Sequence, residues 1–130
     1  MKPTIKFTKN VEFLRPFIKG LGRKVPLRHL KYVRGYRVKK GFIERSDASI
    51  LRYSKKHYTI NVLIEELVHR KHQHKTIERA LLHFAHELAH LREWEHTPKH
   101  FALQSEILLH FATMLKKLNI KDHSRRTNTL

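Results

Sequence analysis

The sequence lacks cysteine altogether, and this absence excludes whole classes of protein. None of the 130 residues can form a disulfide or a thiolate zinc site, so histidine is the only nitrogen-bearing metal ligand to consider. No apolar run approaches the ~20 residues that a membrane-spanning helix needs. The opening segment, residues 1–6, has no apolar core of the kind that signal peptides carry. We therefore expect a soluble, cytoplasmic protein without a membrane partner.

Acidic residues are scarce as well. The chain has 28 Lys and Arg against 11 Asp and Glu, which gives a formal net charge of +17. Ten basic residues and no acidic one lie between Glu12 and Glu44. Such a field favours polyanions through phosphate neutralisation and counterion release, although a solvated face in a chain of basic composition is the simpler alternative. The candidate contacts with nucleic acid are Arg23, Lys24, Arg28, Lys31, Arg34, Arg37, Lys39 and Lys40.

The length is that of one domain with a modest core. We place this domain at residues 1–120, with the basic segment in its N-terminal part, and expect a flexible basic tail over 121–130. Apolar spacing predicts a short helix over residues 10–19, whereas alternating residues predict a strand over 30–38 and a hairpin over 48–62.

The strongest chemical signal is the HExxH pattern of His86, Glu87 and His90. On a helix the two histidines lie one turn apart on the same face, so both imidazoles can reach one tetrahedral cation. Glu87 is then close enough to hold a water beside that cation. The buried stripe of this helix is expected at Ile77, Leu81, Phe84, Leu88 and Leu91. The pattern is typical of a zinc hydrolase.

His96 is the candidate third ligand. A continuing helix would carry it well over two turns from His86, so the chain must turn back before His96 can reach the same ion. Thr97 suits a helix N-cap and Pro98 suits the first helical position. A second helix is therefore predicted from Pro98 to about residue 118. Its apolar side is expected at Phe101, Leu108, Phe111, Met114 or Leu115, and Leu118.

Other interpretations compete with this one. A bare HExxH occurs by chance as two surface histidines beside a solvated Glu. His69, His72 and His74 offer further ligands, but no single regular conformation aims all three at one ion, which favours a solvated loop. Glu106 is an alternative third ligand, less favoured than His96 because its helix would have to cross the first one closely.

Residues 86–91 followed by 96–101 resemble the zinc metallopeptidases of the SprT-like, WLM and YgjP-like families, and residues 58–63 are similar to the strand that these families place before the active-site helix. The resemblance covers roughly residues 42–118. It implies an α+β fold with a small antiparallel or mixed sheet packed on the active-site helix and a C-terminal helix. It also implies zinc bound by His86, His90 and His96, with Glu87 as the general base. His100 stands where these families often have an aromatic residue.

The implied reaction is peptide hydrolysis. Zinc lowers the pKa of bound water towards ~7, and Glu87 accepts its proton as the water attacks a polarised carbonyl. Tyr53, Tyr58 and His100 are candidate donors to the oxyanion. In the SprT-like and WLM families the substrates include proteins attached to DNA.

Two other functions stay open. YbeY-type endoribonucleases use three histidines at the same spacing, and the basic field suits RNA, but they usually have Gly where this chain has Glu87. A nucleic-acid-binding module with a structural zinc would leave Glu87 dispensable and no coordination position open.

Overall fold

The computed structural model describes residues 4–36, 48–63 and 73–129. Within these ranges the chain forms a four-stranded sheet followed by two α-helices. Between the first and second strands lie 3-10 helical segments over Lys9–Ile18, Leu21–Arg23 and Leu27–His29. The strands are β1 (Lys6–Phe7), β2 (Leu30–Tyr36), β3 (Ala48–Ser54) and β4 (His57–Leu63). The helices are α1 (Gln73–Ala89) and α2 (Pro98–Thr129). The predicted α+β class with a mixed sheet is confirmed.

The strands lie in the order β1-β2-β4-β3. β1 and β4 both pair with β2 in parallel, while β3 pairs with β4 as an antiparallel hairpin. The predicted hairpin is therefore confirmed, and so is the predicted strand as far as Tyr36, beyond which residues 37–38 lie outside the described ranges. Parallel β2 and β4 begin at the same end of the sheet, where β3 ends. The cavity described below borders the opposite end of β3, at Ala48, Ser49 and Ile50.

The predicted helix over residues 10–19 forms, but as a 3-10 helix over Lys9–Ile18. Its buried side chains, Val11, Leu14 and Phe17, recur every third residue, which fits the 3-10 period of three residues per turn. The spacing therefore places all three on one side of the segment, where they join the core.

The core lies where α1 packs on the sheet and on α2, and where the 3-10 helix over Lys9–Ile18 packs on α2 and β2. Leu81, Phe84, Leu88 and Leu91 are buried on α1 as predicted, and Ile77 is half-buried. The ring of Phe84 stacks with that of Phe111 at 5.9 Å between centroids. Burial of such a side chain contributes roughly 2 kcal/mol. This packing fixes the end of α1, which carries the motif.

Two predictions about α2 are wrong. The helix continues past residue 118 to Thr129, and Phe101 is 69% exposed instead of buried. The buried positions are Leu103, Ile107 and Phe111, which follow one another at one-turn spacing on the side that meets α1. Phe101 lies off that row because two residues rotate a helix by about 200°.

The mobility of the tail over 121–130 stays a prediction. No helix in the described ranges is long and apolar enough to cross a membrane.

Candidate metal centre

Three imidazole nitrogens meet at the end of α1. The Nε2 atom of His96 lies 3.1 Å from that of His86 and 3.1 Å from that of His90, and the latter two are 3.3 Å apart. Ligands about 2.0–2.1 Å from a tetrahedral zinc ion lie about 3.3–3.4 Å from one another. The triangle therefore has nearly the size of a zinc ligand set.

The hydrogen bonds on the far side of the rings fix which nitrogens carry protons. The Nδ1 atom of His86 donates to Oε1 of Gln104 at 2.8 Å, and Nδ1 of His90 donates to the carbonyl of Glu93 at 3.2 Å. With Nδ1 protonated, each Nε2 presents a lone pair to the others. Such lone pairs repel one another unless a cation lies between them, and an outer hydrogen bond of this kind is characteristic of metal-ligating histidine. The donor set therefore fits a metal ion.

Burial also keeps the site neutral. Burial is the largest cause that lowers the pKa of His90, and the charges of His100 and His86 lower it further, to about 4. Neutral imidazole is the form that binds a metal. His90 is therefore available as a ligand throughout the neutral pH range.

The chain reverses between α1 and α2 as the spacing of His96 requires. The amides of His90 and Leu91 bond to carbonyls three residues back, at 3.1 and 3.0 Å, so α1 closes in a tighter 3-10 turn. Thr97 then caps α2, because its Oγ1 accepts the amide hydrogen of His100 at 3.3 Å. The predicted turn and the predicted start of α2 are both confirmed.

A fourth histidine lies beneath the triangle. His100 is 3% exposed, and its ring lies 4.1 Å from that of His90, measured between centroids, with 29° between the planes. One ring nitrogen each of His86, His90 and His100 lie within 4.8 Å of one another, close enough to hold a metal ion. The set that contains His96 is tighter.

Glu87 is buried beside the histidines. Its side chain is 7% exposed and its Oε1 lies 3.8 Å from Nε2 of His86. Its Oε2 is buried without a hydrogen-bond partner. Burial raises the pKa of Glu87 to about 7, and the charge of His96 opposes that shift. Leaving a buried oxygen unpaired costs roughly 1–3 kcal/mol, so this carboxyl is suited to receive a water or another donor that enters the site.

These residues open onto a cavity of about 760 Å³. One wall is α1, with Leu82, His83, His86, Glu87 and His90, and another is β3, with Ala48, Ser49 and Ile50. Trp94, Glu95 and His96 from the intervening turn and Gln104 from α2 complete the lining. The cavity therefore lies between the motif and the edge strand of the described sheet.

Several candidates from the sequence lie elsewhere. Tyr53 is 61% exposed, and Tyr58 is buried against Trp94. Neither lines the cavity, and their role as donors to an oxyanion stays a prediction. Glu106 pairs with Lys24 at 3.6 Å on the surface, away from the three histidines. Of His69, His72 and His74, the structure describes only the backbone of His74, since residues 64–72 lie outside the described ranges.

The basic residues predicted to meet nucleic acid are divided by the fold. Arg28, Lys31 and Arg34 are exposed around β2, as is Arg23 in a 3-10 segment. Lys24 is half-buried and paired with Glu106. The other members, at positions 37, 39 and 40, lie outside the described residues. Nucleic-acid binding by this set stays a prediction.

Sequence reasoning missed Gln104 and Trp94. Gln104 follows His100 by one helical turn, so both side chains face α1, and this spacing is the signal that could have found it. Trp94 lies 6.0 Å from the ring of His90, measured between centroids, but its turn carries no periodic pattern.

His100 supports the site through a backbone atom. The backbone N–H of His90 donates to the carbonyl of Glu87, so the carbonyl of His86 has lost its usual helical partner. The Nε2–H of His100 donates to that carbonyl of His86 at 3.1 Å. We expect His100→Phe to weaken zinc binding about 10–100-fold, because the ring volume stays but the donor is lost. His100→Gln should bind zinc within a few-fold of the parent, because its amide can replace the donor.

Competition with a chromophoric chelator measures both affinities. If the Phe variant binds zinc as the parent does and the Gln variant does not, ring packing and not hydrogen bonding is what His100 provides.

Comparison of this chain with protein-family models, curated proteins and solved structures finds no match.

Proposed function

We propose that this protein is a zinc-dependent metallopeptidase. His86, His90 and His96 hold the ion in this proposal, and Glu87 is the general base. The observation that carries it is the triangle of three Nε2 atoms, 3.1–3.3 Å apart, beside a buried carboxyl with an unpartnered oxygen. A cluster of surface histidines would need neither the short separations nor the buried acid.

His96 is a better third ligand than His100 for two reasons. Its Nε2 lies 3.1 Å from both partner nitrogens, as a shared cation requires. The Nε2–H of His100 is already engaged with the carbonyl of His86, and its ring lies nearly flat on that of His90.

Zinc, when bound, would supply the positive charge that polarises a peptide carbonyl and acidifies a water molecule. Glu87 then takes the proton of the attacking water on a carboxylate oxygen and returns it to the leaving amine. A carboxylate in this place can accept the proton from the water and release it to the amine. Burial strengthens the interaction of this carboxyl with any charge that develops nearby.

β3 offers a place for an extended substrate. It is the edge strand of the described sheet, and its Ser49 and Ile50 line the cavity opposite the motif. An edge strand can bind a peptide through main-chain hydrogen bonds, with the sheet pleat presenting alternate side chains. Such a peptide would run along the cavity past Glu87. The net charge of +17 supports substrates that are associated with nucleic acid.

The alternatives are less well supported by the same atoms. Glu87, buried where an endoribonuclease of the YbeY type has Gly, favours peptide hydrolysis. A purely structural zinc needs four protein ligands, whereas the tight set provides three nitrogens and faces a cavity. An open coordination position is the feature that separates catalytic from structural zinc sites.

The direct test combines metal analysis with an activity assay. Protein prepared without chelators should contain ~1 zinc per chain. It should cleave members of a quenched-fluorescent peptide library, lose this activity with a chelator and regain it with added zinc. Absence of zinc would contradict the metal centre, and metal-dependent cleavage of RNA without proteolysis would favour the nuclease.

A further inference from the structure

Exposed cations gather at the end of the sheet where β2 and β4 begin. We call them the sheet-end cluster: Arg28, Lys31, Arg52 and Lys56. The topology brings them together, because Leu30 of β2 lies opposite Tyr58 of β4, and Tyr58 lies opposite Arg52 of β3. Residues just before the two parallel strands and at the end of β3 therefore share one edge of the molecule, although they are far apart in sequence.

Three members of the cluster lie close enough to His29 to affect its protonation. Burial lowers the pKa of His29, and the charges of Arg28, Lys56 and Lys31 lower it further, as expected for an imidazole surrounded by cations. No ion pair joins a member of the cluster to a carboxylate within the described part of the chain. Arg15 and Lys24, by contrast, are paired with Glu12 and Glu106. The cluster therefore carries uncompensated positive charge.

Aromatic rings connect this charge to the cavity. The guanidinium of Arg52 lies 5.8 Å from the ring centroid of Tyr58 and 5.6 Å from that of Trp94. The ring of His29 stacks with that of Tyr58 at 6.4 Å. Trp94 is 40% exposed and lines the cavity beside His90. The exposed side chains of Arg52 and Trp94 thus connect the sheet end with the rim of the metal centre, and the buried ring of Tyr58 lies next to both.

We propose that the sheet-end cluster and Trp94 form a binding surface for single-stranded nucleic acid. The cations would neutralise successive phosphates, and Trp94 would stack with a base. A double helix keeps its bases stacked on one another and would not use this ring. An acidic peptide would use the charges but has no comparable need for the rings. Glu95 lies on the cavity wall, so the phosphates are confined to the sheet-end side of Trp94.

The experiment measures binding of an oligothymidylate of about 15 nucleotides, a length that exceeds the ~4–16 nucleotides of common single-strand sites. Trp94 is the only tryptophan in the chain, so its fluorescence reports stacking directly. Anisotropy of a labelled oligonucleotide reports binding as such. The 130-residue chain is used with Glu87→Gln, and with and without zinc, so that binding is observed independently of hydrolysis.

The triple variant Arg28→Gln, Arg52→Gln, Lys56→Gln should lower the affinity about 10–100-fold at ~0.1 M salt. It should also reduce the slope of log affinity against log salt by about 2, since each single-strand phosphate contact contributes ~0.7. The matched control is Lys9→Gln, Lys19→Gln, Lys116→Gln, which removes the same charge from exposed positions elsewhere. The control should keep most of the affinity. Circular dichroism melts show whether each variant is folded.

The inference is supported by quenching of Trp94 together with selective loss in the sheet-end triple. An equal loss in the control variant would overturn it, since net charge alone would then explain binding. Binding without any change in Trp94 fluorescence would also overturn it, and so would displacement of the oligonucleotide by an equal concentration of polyglutamate. None of these outcomes depends on peptidase activity, so the proposed function is tested separately.

Discussion

Glu87→Gln is expected to abolish peptide hydrolysis, with kcat lowered at least about 10³-fold, while zinc content and folding are retained. The amide keeps the size of the side chain but cannot accept the proton of the attacking water. Folding should not suffer, because Glu87 makes no ion pair that holds elements together and its Oε2 is unpartnered. Turnover of a peptide identified in the library, with zinc measured on the same sample, is the decisive comparison.

Glu95→Gln is the matched control for this substitution. Glu95 lines the same cavity but is exposed, so the same chemical change there should leave kcat within a few-fold of the parent. Proteolysis that persists in the Glu87 variant would refute the general-base role. Loss of zinc together with activity would instead show that Glu87 supports the metal.

The motif and the reversal after it were predictable because both depend on local chemistry. One-turn spacing puts His86 and His90 on one face wherever the helix forms, and Thr97 with Pro98 starts a helix whatever surrounds it. The hairpin at 48–62 likewise follows from alternation and a polar turn. These features need no knowledge of what packs against them.

Other features depend on contacts between distant parts of the chain. The buried row of α2 is fixed by Phe84 of α1 and Phe17 of the 3-10 helix, which meet Phe111, so the phase of α2 could not be read from its own apolar residues. The role of His100 also depends on contacts between separate elements. Its role appears only when α1 closes in a 3-10 turn and leaves the carbonyl of His86 without a helical partner.

The sheet-end cluster is a further case of this kind. The sequence placed Arg28 and Lys31 only in the basic segment, and the pairing of β2 and β4 also brings them close to Arg52 and Lys56 of the hairpin. Strand order is a long-range property that composition does not determine. The charge was visible in the sequence, whereas the surface that it forms was not.

His96→Ala is expected to lower zinc affinity on the order of 10²–10³-fold, which would identify the third ligand. Structural zinc sites bind with roughly 10–16 kcal/mol shared among four ligands, so each ligand contributes roughly 2.5–4 kcal/mol. His100→Phe should cost less, because it removes only an outer hydrogen bond. Cobalt(II) substituted for zinc separates the two further: its visible spectrum should change in the His96 variant, which alters the ligand set, and persist in the His100 variant.

His57→Ala provides the control, since this exposed histidine belongs to the hairpin and packs on Tyr53. It should leave both affinity and spectrum unchanged. The opposite ranking, with affinity kept in His96→Ala and lost in His100→Phe, would assign the ion to His86, His90 and His100, which also lie close enough to hold one. The ion would then lie deeper, beneath buried rings, and the open position that peptide hydrolysis requires would be lost. The ligand test therefore decides between a catalytic and an enclosed metal centre.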